Sequence, residues 1–527
     1  MKAFLAIFKQ TVRAALRSKV FIVLFALILI SVIGLPLTIK GDNTAAGLVQ
    51  ISLTYSLNVV IALISASTLW LGCAAMSGDI ESYNIHLVLA KPCPRWVVWF
   101  GKWSGVCLMH CAILVVSMFI IYGLTLFRLS NAERSNFFSA EDMNKLRQET
   151  LVARREFRPI PVNLYKLVAD EYEKRVNTGK VDPNQDKEMV MKAIEGEMIQ
   201  QIMRNITLKP GESRTWVYKG VTAGKGDTPL YLRFRIYTSD ISDTDQRMLP
   251  VDWGMTVYKD QSGKALPAGE KPQVWYSQGA NRYFSQPGGT WQELYTVTQG
   301  DIDRKQGLTQ LNLPVMANMI IDDENEGRVE ITLRNMADQM LPDPKNIPAD
   351  NAEAQKAYND AVQKNTAVMQ VADGPVLLAQ SASFFNNFLR TVVMALFQLI
   401  FLSALGCSVG AIFSTPVAVS VALAYIIIGL VVPAAVNAPM QNDDGSYAYK
   451  NVFEQGAHYM ARGVQMLVVT VDDLDCTSQL ASGRLVEASS IGGAFLKVLL
   501  LRTGLITLLG IAVLNRREMG LVVRKLS

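Results

Sequence analysis

Three residues with metal-binding chemistry lie close together in the sequence, at Cys107, His110 and Cys111. Residues three and four positions apart share one face of a helix, so two thiolates and an imidazole could meet one soft ion such as copper or zinc. Cysteine is also a common small apolar residue where helices pack, and no fourth ligand is apparent. We therefore favour helix packing and expect no metal site.

Other catalytic chemistry finds little support in the residue types. The chain has only three histidines, His86, His110 and His458, which the predicted topology separates, so no His-based triad is expected in the polar insert. The string nearest to a phosphate-binding loop, residues 220–226, lacks the GxxxxGK[ST] spacing. A carboxylate pair in the insert stays open. We expect a protein that is not an enzyme and binds no nucleotide or other cofactor itself.

The most specific local signal is a short charged segment, loop 77–102. Acids in its first part suit the positive end of a helix dipole, a lysine before proline suits the end of that helix, and later basic residues suit a membrane interface. We expect a helix over residues 79–90. The residues that carry the signal are Asp79, Glu81, Lys91, Pro92, Arg95, Gly101 and Lys102.

Six apolar stretches, three on each side of a polar insert, are long enough to cross a bilayer as helices. The last one contains Lys497 and Arg502. A charge at membrane depth indicates function by default, although we expect Lys497 to reach the interface. The predicted spans are Val20–Leu37, Leu53–Met76, Trp103–Leu126, Leu389–Phe413, Val417–Val436 and Phe495–Leu514.

Basic residues close to the spans predict the orientation, because cytoplasmic flanks retain Lys and Arg. Both termini are expected in the cytoplasm and the insert outside. The net charge of +5 reflects these flanks, so no nucleic-acid partner is expected. The flanking residues are Lys2, Lys9, Arg13, Arg17 and Lys19, then Lys91, Arg95 and Lys102, and finally Arg516, Arg517, Arg524 and Lys525.

The sequence predicts a membrane α-helical protein with a 3+3 arrangement of spans and an inserted extracytoplasmic α+β domain. An amphipathic interfacial helix over residues 1–19 precedes spans one to three in residues 20–127. The insert, residues 128–385, should contain helices over 140–205, an antiparallel β-sandwich over 206–340 and a helix over 351–369. Residues 386–527 should hold spans four to six and a cytoplasmic tail. None of the six cysteines falls in the insert, so disulfides cannot stabilise it.

Two patterns in the insert allow a ligand but favour ordinary structure. Aromatic residues on alternating strands could stack on carbohydrate, although such residues are more often core. The acidic run 322–327 could attract calcium, but it lacks the ligand spacing of an EF-hand, so a solvated turn is favoured. The aromatic residues concerned are Trp253, Trp275, Tyr276, Trp291 and Tyr295.

The two membrane parts, about half the chain, resemble the permeases of ABC type-2 exporters, whereas the insert shows no such resemblance. The loop 77–102 has the acidic turn, Lys-Pro-x-x-Arg step and Gly-Lys pair of those permeases. The opening helix resembles their elbow helix. The tail residues Arg516, Arg517 and Glu518 resemble the Arg-Arg-Glu motif at the end of those permeases. Two further local similarities lie at residues 387–390 and 414–418.

The resemblance implies a permease subunit whose helix 79–90 docks onto a separate ABC ATP-binding protein that carries ATP and Mg²⁺. Transport would need two permease halves, from a homodimer or a second permease, in a bacterial cytoplasmic membrane. Glu81 and Arg95 would then be polar contacts that transmit movement. The alternative is a membrane-anchored binding or tethering protein whose insert recognises an envelope polymer or a protein partner.

Overall fold

The structure, a computed structural model, falls into two compact units. The membrane unit holds the residues up to Ala153 and those from Ala382 onward, and the insert unit holds Arg154–Ser381. The residues described are 2–82, 84, 93–159, 164–179, 187–222, 228–238, 249–260, 264, 266, 272–276, 283–285, 291–297, 312–343, 346–348, 351–370, 374–437, 452–469 and 474–517.

Helices make up the membrane unit and occur between the strands of the insert unit. Short π-helical segments follow the fifth helix, at Leu146–Thr150, and lie within the last one, at Phe495–Thr503. The helices are α1 Lys2–Arg17, α2 Lys19–Thr38, α3 Ala45–Glu81, α4 Arg95–Arg134, α5 Ala140–Lys145, α6 Leu164–Asn177, α7 Lys187–Ile206, α8 Ala317–Ile320, α9 Ala352–Lys364, α10 Phe384–Ile412, α11 Thr415–Asn437, α12 Val452–Leu467, α13 Thr477–Ala481 and α14 Ala488–Arg516.

Among the described residues, six helices are long and apolar enough to cross a membrane: α2, α3, α4, α10, α11 and α14. Each contains or closely matches one predicted span, so the six-span prediction is confirmed. We call the end of this bundle where α3 ends and α4 begins the basic end. The end where α4 ends and α10 begins is the insert end.

Helices α3 and α10 approach each other closely because glycines face the contact. A Cβ built on Gly410 would lie 2.5 Å from the carbonyl oxygen of Cys73, and one on Gly406 would lie 2.9 Å from that of Leu69. Small residues of this kind allow helices to pack where lipid supplies no hydrophobic driving force between them. These contacts place α10 in the centre of the unit, where 72% of the residues in its most apolar stretch are buried.

The first helix buries Ile7, Thr11 and Ala15. Two glycines of α4 accommodate it, because a Cβ on Gly101 would come within 2.9 Å of Ile7 and one on Gly105 within 3.0 Å of Thr11. The amphipathic pattern therefore directs its apolar stripe toward α4, and the basic residues stay on the other face.

The insert unit contains two main sheets that share one apolar core. The first has the strand order β1-β13-β4-β9-β10 and the second β3-β11-β6-β7, with β8 also paired to β6; β2, β12 and β5 form a small third sheet. The strands are β1 Val152–Phe157, β2 Thr207–Leu208, β3 Ser213–Tyr218, β4 Leu230–Phe234, β5 Tyr237–Thr238, β6 Leu249–Val257, β7 Gln273–Tyr276, β8 Tyr283–Ser285, β9 Gln292–Val297, β10 Asn312–Met316, β11 Val329–Asn335, β12 Ala367–Val368 and β13 Val376–Ser383.

Most described pairings in these sheets are antiparallel, as predicted, and β9 with β10 is a parallel exception. The core includes Leu232 and Phe234 of β4 together with Trp253 of β6 and Ile331 of β11. Strands β1 and β13 lie outside the predicted sandwich range of 206–340. Their place in the first sheet depends on hydrogen bonds to distant strands, which a local pattern does not contain.

The aromatic residues singled out in the insert have different environments. Trp253 is fully buried, whereas Trp291 is 40% exposed and lies beneath the guanidinium groups of Arg233 and Arg235, at 4.5 and 4.6 Å. The ring of Tyr295 lies 5.9 Å from that of Tyr231 in a tilted arrangement. The side chains of Trp275 and Tyr276 lie outside the described part of the chain.

The acidic run 322–327 forms a turn whose side chains make local contacts. Asn325 donates to Asp322 at 2.6 Å, and Lys259 pairs with Asp323. Backbone hydrogen bonds between Asp322 and Arg328 close the turn. These contacts are those of a surface turn that links α8 to β11.

Candidate functional site

Glu81, the last residue of α3, holds the start of α11. Its carboxylate accepts hydrogen bonds from the backbone N–H of Thr415 at 2.8 Å and from the Thr415 hydroxyl at 3.3 Å. The Ser77 hydroxyl lies 2.7 Å from the same Thr415 hydroxyl. A helix begins with N–H groups that lack partners within the helix, and a carboxylate complements them in both hydrogen bonding and charge.

Arg95, the first residue of α4, holds the end of α14. Its Nη1 donates to the carbonyl oxygens of Leu514 at 2.7 Å, Asn515 at 2.8 Å and Arg517 at 3.0 Å. The last carbonyls of a helix lack N–H partners and carry partial negative charge, which a guanidinium satisfies. Glu81 and Arg95, on either side of residues 83–92, are therefore each hydrogen-bonded to the end of a different membrane helix.

The tail of the chain makes a third contact of this kind. Arg517 donates from Nη1 to the carbonyl oxygen of Ala411 at 2.7 Å, at the end of α10. Its neighbour Arg516 is exposed. Glu518, the last residue of the predicted tail motif, lies outside the described residues.

A buried ion pair joins α3 to α4 at the same end. Lys102 pairs with Asp79 and also donates to the carbonyl oxygen of Ala75, and the Lys102 side chain is only 5% exposed. A buried ammonium is tolerated when it is paired and its other protons are hydrogen-bonded, as here. Removing either partner would leave an uncompensated charge.

Together these residues form the helix-end clamp, which we define as Asp79, Glu81, Arg95, Lys102 and Arg517. The clamp joins α3, α4, α10, α11 and α14 at the basic end. Gly101 contributes differently, by leaving room for α1 against α4. Of the other predicted coupling residues, Lys91 and Pro92 lie outside the described part of the chain, as does most of the predicted helix over 79–90.

Similar contacts at the insert end were not anticipated from the sequence. Arg128 donates to the carbonyl oxygens of Pro36 and, at 3.0 Å, Ile39 at the end of α2. Asn387 pairs with the backbone of residues 484–486, and Arg390 donates to the carbonyl oxygen of Val486 at 2.7 Å. A charged residue near the end of a span was the available signal, but it does not name its partner.

Arg502 has a defined partner inside the membrane unit. It donates from Nη2 to the carbonyl oxygen of Gln465 at 2.8 Å, in the last turn of α12. The guanidinium thus complements another helix C-terminus. Lys497, on the same helix, is exposed.

The residues considered for a metal site make hydrogen bonds within the protein. The His110 ring donates from Nδ1 to the carbonyl oxygen of Val106 at 2.9 Å, so its Nε2 accepts from the Ser67 hydroxyl at 3.0 Å. The sulfur atoms of Cys107 and Cys111 are 3.9 Å apart. Within the described residues, no group of three or more His, Cys, Asp and Glu side chains is placed to hold a metal ion.

A cavity of about 710 Å³ lies inside the membrane unit, between α3, α10 and α11. Its lining is mainly apolar, with Leu69, Leu402 and Ile426 among the residues concerned, and it includes Asp475 and Thr477 from the segment that follows α12. A cavity of this size can enclose a small molecule.

Residues 5–138 match the model of a family described as ABC-2 family transporter protein. No curated protein and no solved structure matches the chain. The matched range contains α1 to α4, with Asp79, Glu81, Arg95 and Lys102, and it does not reach the insert unit. This family implies a multi-pass membrane subunit that works with an ATP-binding partner. The match over residues 5–138, together with the six spans, supports an ABC-2 type transporter permease.

Proposed function

We propose that this chain is the permease subunit of an ABC exporter in a bacterial cytoplasmic membrane, with a separate subunit that hydrolyses ATP. In this arrangement the basic end and both termini face the cytoplasm, and the insert unit is extracytoplasmic. ATP and Mg²⁺ are held by the partner subunit. A homodimer, or a pair with a second permease, supplies the two halves that such a transporter needs.

The helix-end clamp is the observation that carries this proposal. The segment 79–90, proposed to dock onto the partner, contains Glu81 near its start and is followed by Arg95. Glu81 is bonded to the start of α11 and Arg95 to the end of α14. A displacement of this segment by the partner would thus act directly on two membrane helices.

Charge at helix ends also makes the coupling tight. Glu81, Arg95, Lys102 and Arg517 each join an ionised side chain to at least one backbone group of another helix or helix end. Hydrogen bonds with an ionised partner are roughly twice as strong as neutral ones. When the partner displaces the segment, the clamp contacts should stay formed and the connected helix ends should move together. Loss of one member should leave the helices folded while weakening the transfer of movement.

The test is a mild-detergent pull-down of the tagged chain from its host, followed by mass spectrometry and an ATPase assay. We expect wild type to recover an ATP-binding subunit with ATPase activity. Glu81→Gln should still recover the partner, but the stimulation of its ATPase activity during transport should be several-fold smaller than in wild type. The reason is that the amide carries no charge to complement the start of α11. Glu133→Gln is the matched control, since Glu133 pairs with Arg147 at the insert end and both side chains are about half exposed.

Recovery of no ATPase with wild type would contradict the proposal. The insert unit would then become the main candidate for function, and the chain would be better described as a membrane-anchored binding or tethering protein. Equal stimulation of ATPase activity in Glu81→Gln and wild type would leave the permease proposal standing. It would show that the Glu81 contact does not transmit the movement.

A further inference from the structure

Helix α12 ends inside the membrane unit at about half its depth. The backbone N–H of Val469, just after α12, donates to the Tyr425 hydroxyl at 3.1 Å. Tyr425 lies roughly 15 Å from the start of α11 at 1.5 Å per residue, close to the middle of that helix. Arg502, near the middle of α14, holds the last turn of α12. The end of α12 is therefore at mid-depth.

Residues 474–486 lead from α3 toward the insert end. Thr477 donates from its hydroxyl to Asn58 of α3 at 2.5 Å, and residues 484–486 reach Asn387 at the beginning of α10. Non-helical backbone at membrane depth is tolerated only where protein buries it or where it lines a cavity. Residues 469 and 474–477 line the cavity between α3, α10 and α11.

The charged group of this cavity lies toward the insert end, whereas the polar side chains of Ser65 and Gln398 lie farther along it. The Asp475 carboxylate accepts from the backbone N–H of Thr477, and the Thr477 hydroxyl lies 2.6 Å from that carboxylate and 2.5 Å from the side-chain oxygen of Asn58. Toward the basic end the lining changes to Leu69, Trp70 and Leu402. Along α3 the cavity extends from Asn58 to Trp70, about 18 Å at 1.5 Å per residue.

The length of the cavity and its one charged residue among those described restrict the kind of ligand that fits it. Half of a hydrocarbon core of about 30 Å is roughly 15 Å, so the cavity is as long as one leaflet's acyl chain. Among the described residues that line the cavity, Asp475 is the one with a formal charge. A single alkyl chain fits the apolar part, and an ammonium head group complements the carboxylate.

We propose that this cavity binds a cationic amphiphile, a single apolar chain with an ammonium head group, with Asp475 at the head and Trp70 at the tail. The assignment deepens the proposed export function, on which it rests, by naming the substrate class. Asn58 and Thr477 orient the carboxylate and can accept hydrogen bonds from the head group. Gln398 and Ser65, hydrogen-bonded at 3.3 Å, lie along the chain.

The test measures binding without ATP or the partner subunit. The probe is an alkylammonium of one-leaflet length with bromine on its terminal carbon, titrated into the purified full chain in detergent while tryptophan quenching is recorded. We expect saturable quenching that Trp70→Phe removes. Asp475→Asn should weaken the ammonium's Kd at least roughly tenfold, because it removes the charge that faces the head group. The brominated carboxylate of equal length should bind weakly.

Asp42→Asn is the matched control. The Asp42 carboxylate accepts from the backbone N–H and hydroxyl of Thr44, as Asp475 does from Thr477, but Asp42 does not line the cavity. Its Kd should equal that of wild type. Ala66→Phe provides a second variant, because Ala66 is an exposed residue of the lining and a larger side chain should fill the cavity without disturbing the core.

Three results would overturn the assignment: no saturable quenching, quenching that survives Trp70→Phe, or equal affinity for the carboxylate and the ammonium. Each leaves the ATPase pull-down unaffected. Failure of the pull-down with intact ammonium binding would reject the exporter and keep the site.

Discussion

At the scale of single residues, four arginines of the membrane unit act as caps on the ends of other helices. Arg95, Arg128, Arg502 and Arg517 each donate to the last carbonyls of a helix that is distant in the sequence. The planar guanidinium suits this role because it presents several donors in a fixed geometry. A positive charge near lipid is stabilised at these positions because it bonds to carbonyl groups that have no partner within their own helix.

Arg95→Lys should destabilise the protein although it keeps the charge. The lysine ammonium is a point charge on a flexible stem and lacks the planar donor geometry of the guanidinium, so it should not hold these carbonyl groups in the same way, and each lost hydrogen bond costs about 1 kcal/mol. We expect a lower apparent Tm in detergent, measured by scanning fluorimetry. Arg516→Lys is the control, since Arg516 is exposed. Equal Tm values for the two variants would argue against the cap.

The insert unit should lose stability at strongly alkaline pH because of Tyr258. Burial, and then the negative charge of Glu330, raise the pKa of Tyr258 to about 12. The pKa in the unfolded chain is about 10, so the folded state holds this proton more tightly. The stabilisation is complete below pH 10 and is lost as the pH rises toward 12.

Chemical unfolding of the full chain, followed by circular dichroism across this pH range, checks the prediction. Tyr258→Phe should reduce the decline in stability between pH 10 and 12. Tyr358→Phe serves as the comparison and should follow wild type. A decline of the same size in Tyr258→Phe and wild type would show that other groups cause it.

At the scale of elements, the packing of α3 against α10 depends on missing side chains. Gly410→Ala places a Cβ at 2.5 Å from the carbonyl oxygen of Cys73, which is backbone and cannot rotate away. Overpacking of this kind costs about 1–3 kcal/mol. We expect a lower Tm and less protein that elutes as a single peak.

Gly123→Ala is the matched substitution in another span, because a Cβ on Gly123 meets nothing within 4 Å. It should be neutral or slightly stabilising, since alanine favours helix. Similar losses in both variants would indicate that glycine flexibility, and not close approach, matters in these helices.

At the scale of the whole molecule, the described part of the insert unit has an apolar core of its own. The core of the insert draws on β3, β4, β6, β11 and β13, and no cysteine occurs between Cys111 and Cys407. Strands β1 and β13, through which the chain enters and leaves, are neighbours in one sheet. The unit should therefore fold alone.

Residues 152–383 expressed without the spans should unfold cooperatively, with the same Tm in the presence and absence of a thiol reductant. The physical reason is that apolar burial, and not disulfides, supplies the stability. Differential scanning calorimetry measures both properties. A non-cooperative transition would mean that the insert needs the membrane unit to fold.

The sequence alone determined the class of this protein and the positions of its spans. Long apolar runs, such as the one that became α2, must form helices in a bilayer because their backbone groups can pair only within the helix. In the insert, Leu230, Leu232 and Phe234 at alternate positions are buried, but so is Tyr231 between them, which alternation alone does not indicate. The short motifs of the charged loop pointed to the permease family that the match to residues 5–138 supports.

Only the tertiary structure decided what the charged residues touch. Glu81 and Thr415, Arg95 and Leu514, and Arg517 and Ala411 are far apart in the sequence, and any exposed acid or base near a span carries the same local signal. The cavity lined by Val469 and residues 474–477 depends on packing among α3, α10 and α11. Such contacts follow from the three-dimensional arrangement, because residue type gives the chemistry of a side chain but not the identity of its partner.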